Sequence, residues 1–191
     1  MTSSTLHQRI YTIQEYLDQE TQAQERHEYR NGEMILMSGG TPNHNRINLN
    51  FAGALNFSLK RQPFDVFMTD QRLWIPDKTL YTYPDVMVIQ QPLTLQPGRK
   101  DTVMNPLLIA EVLSNSTRSY DKDEKFAAYR SLSSFQEYVL IDQYSPHVEH
   151  YTKTDDQAWL FREYDGLETS ICLQSIDFQI DLTDIYDKVK F

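Results

Sequence analysis

The stretch that most constrains this chain is Asn105-Pro-Leu-Leu-Ile-Ala-Glu-Val-Leu-Ser114, an apolar run interrupted by one carboxylate, Glu111. Read as a strand, its side chains alternate, so Leu107, Ile109, Glu111 and Leu113 share one face while Leu108, Ala110 and Val112 share the other. Both faces are apolar, which predicts burial on both sides. A carboxylate there is costly unless cations or hydrogen bonds compensate it. Glu111 is therefore either part of a buried salt bridge or a functional group, and the strand alone leaves both readings open.

A similar break lies 26 residues earlier, where Tyr83-Pro-Asp-Val-Met-Val-Ile89 reads as a strand with Asp85 among its first residues. A proline is tolerated at such a strand start or edge. Neighbouring strands would bring Asp85 and Glu111 to one edge of the sheet. Two carboxylates held together repel unless a cation separates them, and hard oxygen ligands partly open to water suit Mg²⁺ or Mn²⁺. Such an ion polarises a phosphoryl oxygen or acidifies a water. The plainer reading of Asp85 is a residue that follows a turn proline.

The rest of the chain alternates helices and strands. Thr12 to Glu20 is expected as a short helix, with Thr12 as N-cap and Glu15 completing a capping box. It would lie as a lid. Arg26 to Met37 is expected as a hairpin about Asn31-Gly32, with Glu28 on its first strand. Thr41-Pro42 opens a longer helix whose apolar positions are Ile47, Leu49, Phe51, Leu55 and Leu59, and whose first turn carries His44 and Arg46. Strands are expected at 64–68 and 72–75, then a polar loop over 90–104 after the Asp85 strand. Asp121 is expected to cap a helix running to about Leu132, with Glu124 as capping-box partner and Lys122, Lys125, Phe126 and Tyr129 along it. Glu137 to Ile141 reads as a strand, and strand–helix–strand of this length implies a right-handed parallel crossover. Residues 148–151, 158–164 and 169–173 read as a meander, followed by a short strand at 178–182 and a helical turn at 183–186.

At 191 residues the chain is expected to form a single domain over 1–191 with a sizeable core. Without an apolar run of about 20 residues or an N-terminal leader pattern, a cytoplasmic protein with no membrane association is expected. One cysteine, Cys172, excludes an internal disulfide and a cysteine-built zinc site. The formal charge of −9 argues against a nucleic-acid grip, but it is unevenly placed. Residues 1–130 hold 14 Lys and Arg against 15 Asp and Glu, whereas 131–191 hold 4 against 12. A positive groove can still form in the first two thirds, from Arg46, Lys60, Arg61, Arg99, Lys100, Arg118, Lys122, Lys125 and Arg130.

The segments Tyr83-Pro-Asp-Val-Met-Val, Leu108-Ile-Ala-Glu-Val-Leu-Ser114, Tyr120-Asp-Lys-Asp-Glu-Lys-Phe126 with Tyr129, and Glu137-Tyr-Val-Leu-Ile-Asp142 together resemble the Uma family of endonucleases. That family lies within the PD-(D/E)xK restriction-endonuclease-like superfamily. Arg26 to Glu33 and Met37 to His44 are similar to its N-terminal pattern, so the likeness spans nearly the whole chain. It implies an α/β (mixed α+β) fold, with a restriction-endonuclease-like central mixed sheet flanked by helices and an antiparallel C-terminal meander. It also implies a metal-dependent nuclease acting on DNA, with Mg²⁺ or Mn²⁺ on Asp85 and Glu111 and with Glu28 as a third acid. The superfamily lysine two residues after the glutamate is absent, because Leu113 stands there. Lys125 matches the lysine that the Uma family carries on the following helix.

His44, Arg46, Lys122 and Tyr129 are accessory candidates, but a lone His in a capping turn is more often a hydrogen-bonded structural residue, which ranks His44 below Glu28, and Tyr129 is expected to pack as a core tyrosine with its hydroxyl satisfied. A homodimer is expected, from the family likeness and from aromatic C-terminal strands whose edges need covering. The alternative is an inactive nuclease fold that binds nucleic acid or a protein partner, which Leu113 and the negative charge favour. An acidic oligomerisation or toxin-neutralising module would rest on the C-terminal charge alone.

Overall fold

The computed structural model describes residues 9–155 and 157–191. Its helices are α1 (Ile13–Gln22), α2 (Pro42–Ser58), α3 (Arg118–Tyr120), α4 (Phe126–Tyr129) and α5 (Leu182–Ile185), with a π-helical segment, Asp121–Lys125, joining α3 to α4. Strands β3 (Phe64–Met68), β6 (Val86–Gln90), β8 (Leu108–Leu113), β9 (Glu137–Asp142), β10 (His147–Lys153) and β11 (Trp159–Asp165) form a six-stranded mixed sheet in the order β11-β10-β9-β8-β6-β3. A second sheet, β2-β1-β5-β4-β7, is built from β1 (His27–Arg30), β2 (Glu33–Leu36), β4 (Arg72–Ile75), β5 (Leu80–Thr82) and β7 (Thr102–Val103). Strands β12 (Ser170–Leu173) and β13 (Phe178–Asp181) make a separate hairpin.

The large sheet has the expected mixed character. β8 and β9 run parallel across the helical crossover, while β6 pairs antiparallel with β8. Alternation along β8 divides the core as expected. Leu108, Ala110 and Val112 pack under Ile47, Phe51 and Leu55 of α2, whereas Ile109 and Leu113 face Leu73, Ile75 and Leu80 of the smaller sheet. All of these side chains are buried, and full burial of each large aliphatic or aromatic one contributes about 1.5–3 kcal/mol. The smaller sheet is covered by α1, whose Tyr16 and Leu17 join Tyr29, Trp74 and Tyr81.

The Thr12–Glu15 capping box forms, and Asn31 and Gly32 both take the positive φ that a tight hairpin turn requires. Several local expectations are corrected. Asp121 caps no helix: the helical segment starts at Arg118, and Asp121 sits inside it with helical backbone angles. Glu124, instead of closing a capping box, pairs with Arg30 at 2.7 Å. The helix ends at Tyr129 rather than near Leu132. Leu49 lies on the solvent side of α2, 64 % exposed. The presumed loop over 90–104 contains β7, which pairs in parallel with β4. The third strand of the expected meander leaves the sheet to pair with β13.

Candidate active site

The chain passes from β5 of the smaller sheet to β6 of the larger through Tyr83-Pro84-Asp85, and this crossing gathers the site. The register that sets Val86 opposite Ala110 places Asp85 alongside Glu111. The Asp85 N–H donates to Glu111 Oε2 at 3.2 Å, and the Val112 N–H donates to Asp85 Oδ2 at 2.8 Å. Glu28 arrives from β1, where the Thr82 hydroxyl donates to its Oε1. Asp121 and Lys125 enter from the π-helical segment. Its widened turn leaves the Asp121 carbonyl to accept a bond from the Tyr138 hydroxyl at 3.0 Å, and such segments recur at functional positions.

Lys125 is the electrostatic centre. Its Nζ lies 3.1 Å from Glu111 Oε1, 3.2 Å from Asp121 Oδ1 and 3.5 Å from Glu28 Oε1. Lys125 and Asp121 are both buried, so their i, i+4 ion pair lies inside the protein. Burial works against its charge, but the surrounding carboxylates outweigh this and hold its pKa well above the ordinary lysine range. Burial likewise pushes Glu111 from 4.5 up to about 8; Lys125 opposes that rise, while Asp85 and Asp121 add to it. Asp85 behaves oppositely. Burial favours its neutral form, yet the hydrogen bond and charge of His44 and the Val112 N–H hold it below the ordinary range.

The accessory candidates separate. His44 Nε2 lies 3.1 Å from Asp85 Oδ2, and the Tyr129 hydroxyl donates to Glu111 Oε1 at 2.7 Å. Arg46 bonds Asn43 at 3.4 Å and does not line the cleft, and Lys122 binds Glu149 on the C-terminal strands. Glu149 also belongs to a group with His147 and Glu163 whose ligand atoms lie within 4.8 Å of one another, and Lys122 already supplies that group with a cation. Other cations expected to form a groove are paired too, Arg118 with Asp142 at 2.6 Å and Arg99 with Asp101 at 2.7 Å. The cleft over the acids has a volume of about 750 Å³ and is walled by Leu36, Gly40, Asn115, Tyr120 and Tyr144.

Four polar residues complete the site. Asn48, one helical turn after His44, donates from Nδ2 to Asp85 Oδ1 at 3.1 Å and contacts His44 Nδ1 at 3.3 Å, so one amide steadies both partners. The Thr41 hydroxyl accepts from the His44 N–H at 3.1 Å and donates to Gln143, which in turn donates to the Leu113 carbonyl at 2.9 Å. Asp121 is the fourth. The i, i+4 spacing of His44 and Asn48 was a readable signal; nothing local marks Gln143. At Gly40 a Cβ would sit 2.6 Å from His44 Nδ1, so the loop can approach the ring only as glycine.

Asp85, Glu111 and Glu28 offer carboxylate oxygen alone, the donor set that a hard divalent cation takes. Mixed sheets flanked by helices in this arrangement make a restriction-endonuclease-like fold. Residues 13–183 match the family model Uma2, described as "Putative restriction endonuclease", and the chain belongs to that family. Two relatives come from Synechocystis sp. (strain ATCC 27184 / PCC 6803 / Kazusa). "Uncharacterized protein sll1609" is 42% identical over 163 residues, covering 85% of this chain and 92% of its own. "Uncharacterized protein slr1290" is 32% identical over 180 residues, covering 93% and 92%. Among solved structures, a "putative nuclease belonging to DUF820" from Anabaena variabilis ATCC 29413 superimposes with a TM-score of 0.73 at 17% identity, over 92% of this chain and 97% of that one. Among the described residues, no helix is long and apolar enough to cross a membrane.

Proposed function

We propose that this protein is a divalent-metal-dependent endonuclease that hydrolyses phosphodiester bonds in DNA and works as a homodimer. The observation that carries the reading is the meeting of Glu111 and Glu28 around a single buried lysine, with Asp85 alongside Glu111, at the floor of an open cleft. Asp85 and Glu111 would hold Mg²⁺ or Mn²⁺, with Glu28 as a third carboxylate. When bound, the ion supplies polarisation of a phosphoryl oxygen and acidification of a water.

The chain's own groups divide the remaining work. Lys125 carries permanent positive charge beside Glu111, where it offsets charge gathering on a phosphate and orients a water. His44 and Asn48 fix Asp85 in its ionised form and in one orientation. The Tyr129 hydroxyl holds Glu111 toward the cleft.

One observation favours a second reading, a nuclease fold that binds nucleic acid without cutting it. Lys125 already supplies a cation to Glu28, Glu111 and Asp121. Supercoiled plasmid incubated with the purified protein separates the two. Nicking that requires Mg²⁺ or Mn²⁺ and disappears in Glu111→Gln supports the enzyme. Retarded but intact DNA, with no heat of Mn²⁺ binding in calorimetry, supports the binding protein.

A further inference from the structure

β3 is an open edge of the large sheet, paired on one side with β6. Two bonds fix the phase of that pairing, Gln91 N–H to the Pro63 carbonyl at 2.9 Å and Thr69 N–H to the Asp85 carbonyl at 3.2 Å. Residues 63, 65, 67 and 69 therefore turn their backbone groups toward β6, and Phe64, Val66 and Met68 turn theirs outward. The Phe64 N–H is taken by the Gln62 carbonyl at 2.8 Å, and the Met68 carbonyl accepts from the Gln71 N–H at 3.1 Å. Among the described residues, what faces outward and open is the Val66 N–H and carbonyl, the Phe64 carbonyl and the Met68 N–H.

These groups complement themselves. A second β3 laid antiparallel with Val66 opposite Val66 forms two reciprocal Val66 bonds and two bonds from Met68 N–H to the Phe64 carbonyl, with no donor or acceptor left over. The two-fold axis of that pairing runs normal to the sheet, so both α2 helices come to the same face. The outer stripe of α2 is Leu49, Gly53 and Phe57, with Leu49 64 % and Phe57 81 % exposed. Phe57 and Gly53 border a hollow whose other wall is Phe64 and Val66. The charges agree as well: exposed Lys60 and Arg61 precede β3 and exposed Asp70, which also meets Arg26 at 3.4 Å, follows it, so antiparallel pairing sets the basic end of one copy against the acidic end of the other. The opposite edge, β11, carries Arg162, Glu163 and Asp165, charges of the kind that discourage edge pairing.

We infer that the β3 edge and the outer face of α2 are the interface between two copies of this chain, joined into one continuous sheet. The inference places the contact on this edge instead of on the C-terminal strands. The homodimer in the function proposed above would use this interface, but its mass, measured without metal or DNA, tests it apart from that chemistry.

Light scattering on the full chain at tens of micromolar is expected to give twice the 22.5 kDa chain mass. Val66→Pro removes the central outward donor without touching a bond to β6, and Phe57→Glu places a charge at an exposed helix position. Each is expected to weaken association at least tenfold while far-UV circular dichroism stays unchanged. A monomeric wild type, or a dimer that survives either substitution in folded protein, overturns the inference. Should Val66→Pro fail to fold, Phe57→Glu alone decides, since its side chain supports no core contact.

Discussion

Replacing Glu111 by Gln tests the electrostatics of the site before any substrate is known. Glu111 is buried among Lys125, Tyr129 and the Asp85 N–H, and its pKa rises from 4.5 to about 8. Because that pKa is higher in the folded than in the unfolded state, the folded state binds the extra proton between those two values. Wild-type stability is then full below pH 4.5 and declines toward pH 8, at a rate approaching about 1.4 kcal/mol per pH unit. Gln mimics the protonated acid in shape and keeps an oxygen acceptor for Lys125 and Tyr129, yet it does not titrate. The melting temperature of Glu111→Gln minus that of wild type should therefore be small near pH 5 and grow steadily to pH 8, by roughly 2–4 °C for each kcal/mol in a chain of this size. A difference that stays flat, or that turns against the variant as pH rises, would show an ionised Glu111 held by Lys125 as a structural salt bridge. Mn²⁺ should narrow that difference, since a cation selects the carboxylate form. At a hundred times its dissociation constant it should stabilise wild type by about 2.7 kcal/mol, and the variant by less.

Lys125→Met leaves Glu28, Glu111 and Asp121 without their shared cation, so the metal-free protein should lose about 3–5 kcal/mol in denaturant melts, and Mn²⁺ should recover part of the loss. A neutral effect would mean that the acids are already protonated or paired elsewhere. His44→Ala and Asn48→Ala each remove a hydrogen bond to Asp85, and Mn²⁺ affinity by calorimetry should fall about 10–100-fold while far-UV circular dichroism stays the same. An unchanged affinity in both would remove Asp85 from the ligand set.

Much of this architecture was legible because it depends on local rules. Alternation along 107–113 gave the two faces of β8, and Asn31-Gly32 gave the hairpin that delivers Glu28. What escaped depends on distant partners. β5 and β7 are three and two residues long, too short for any periodicity, and exist only because β4 lies between them. Asp121 and Glu124 have the spacing of a capping box, but the Arg30 guanidinium draws Glu124 outward while Lys125 draws Asp121 inward. Gln143 belongs to the site only because the N-terminus of α2 reaches the end of β9.

The lysine position shows why spacing along one strand was the wrong place to look. Leu113 shares the face of Glu111, but the smaller sheet closes over that face with Leu73, Ile75 and Leu80, so a charge at 113 would be buried without a partner. The cleft opens instead toward the crossover that leads from β8 to β9. A lysine on that crossover reaches the glutamate from the side where Glu28 and Asp121 also stand, and three carboxylates hold its charge in place. In this chain the second sheet closes over the Leu113 face, and the buried cation beside Glu111 comes from the helical crossover.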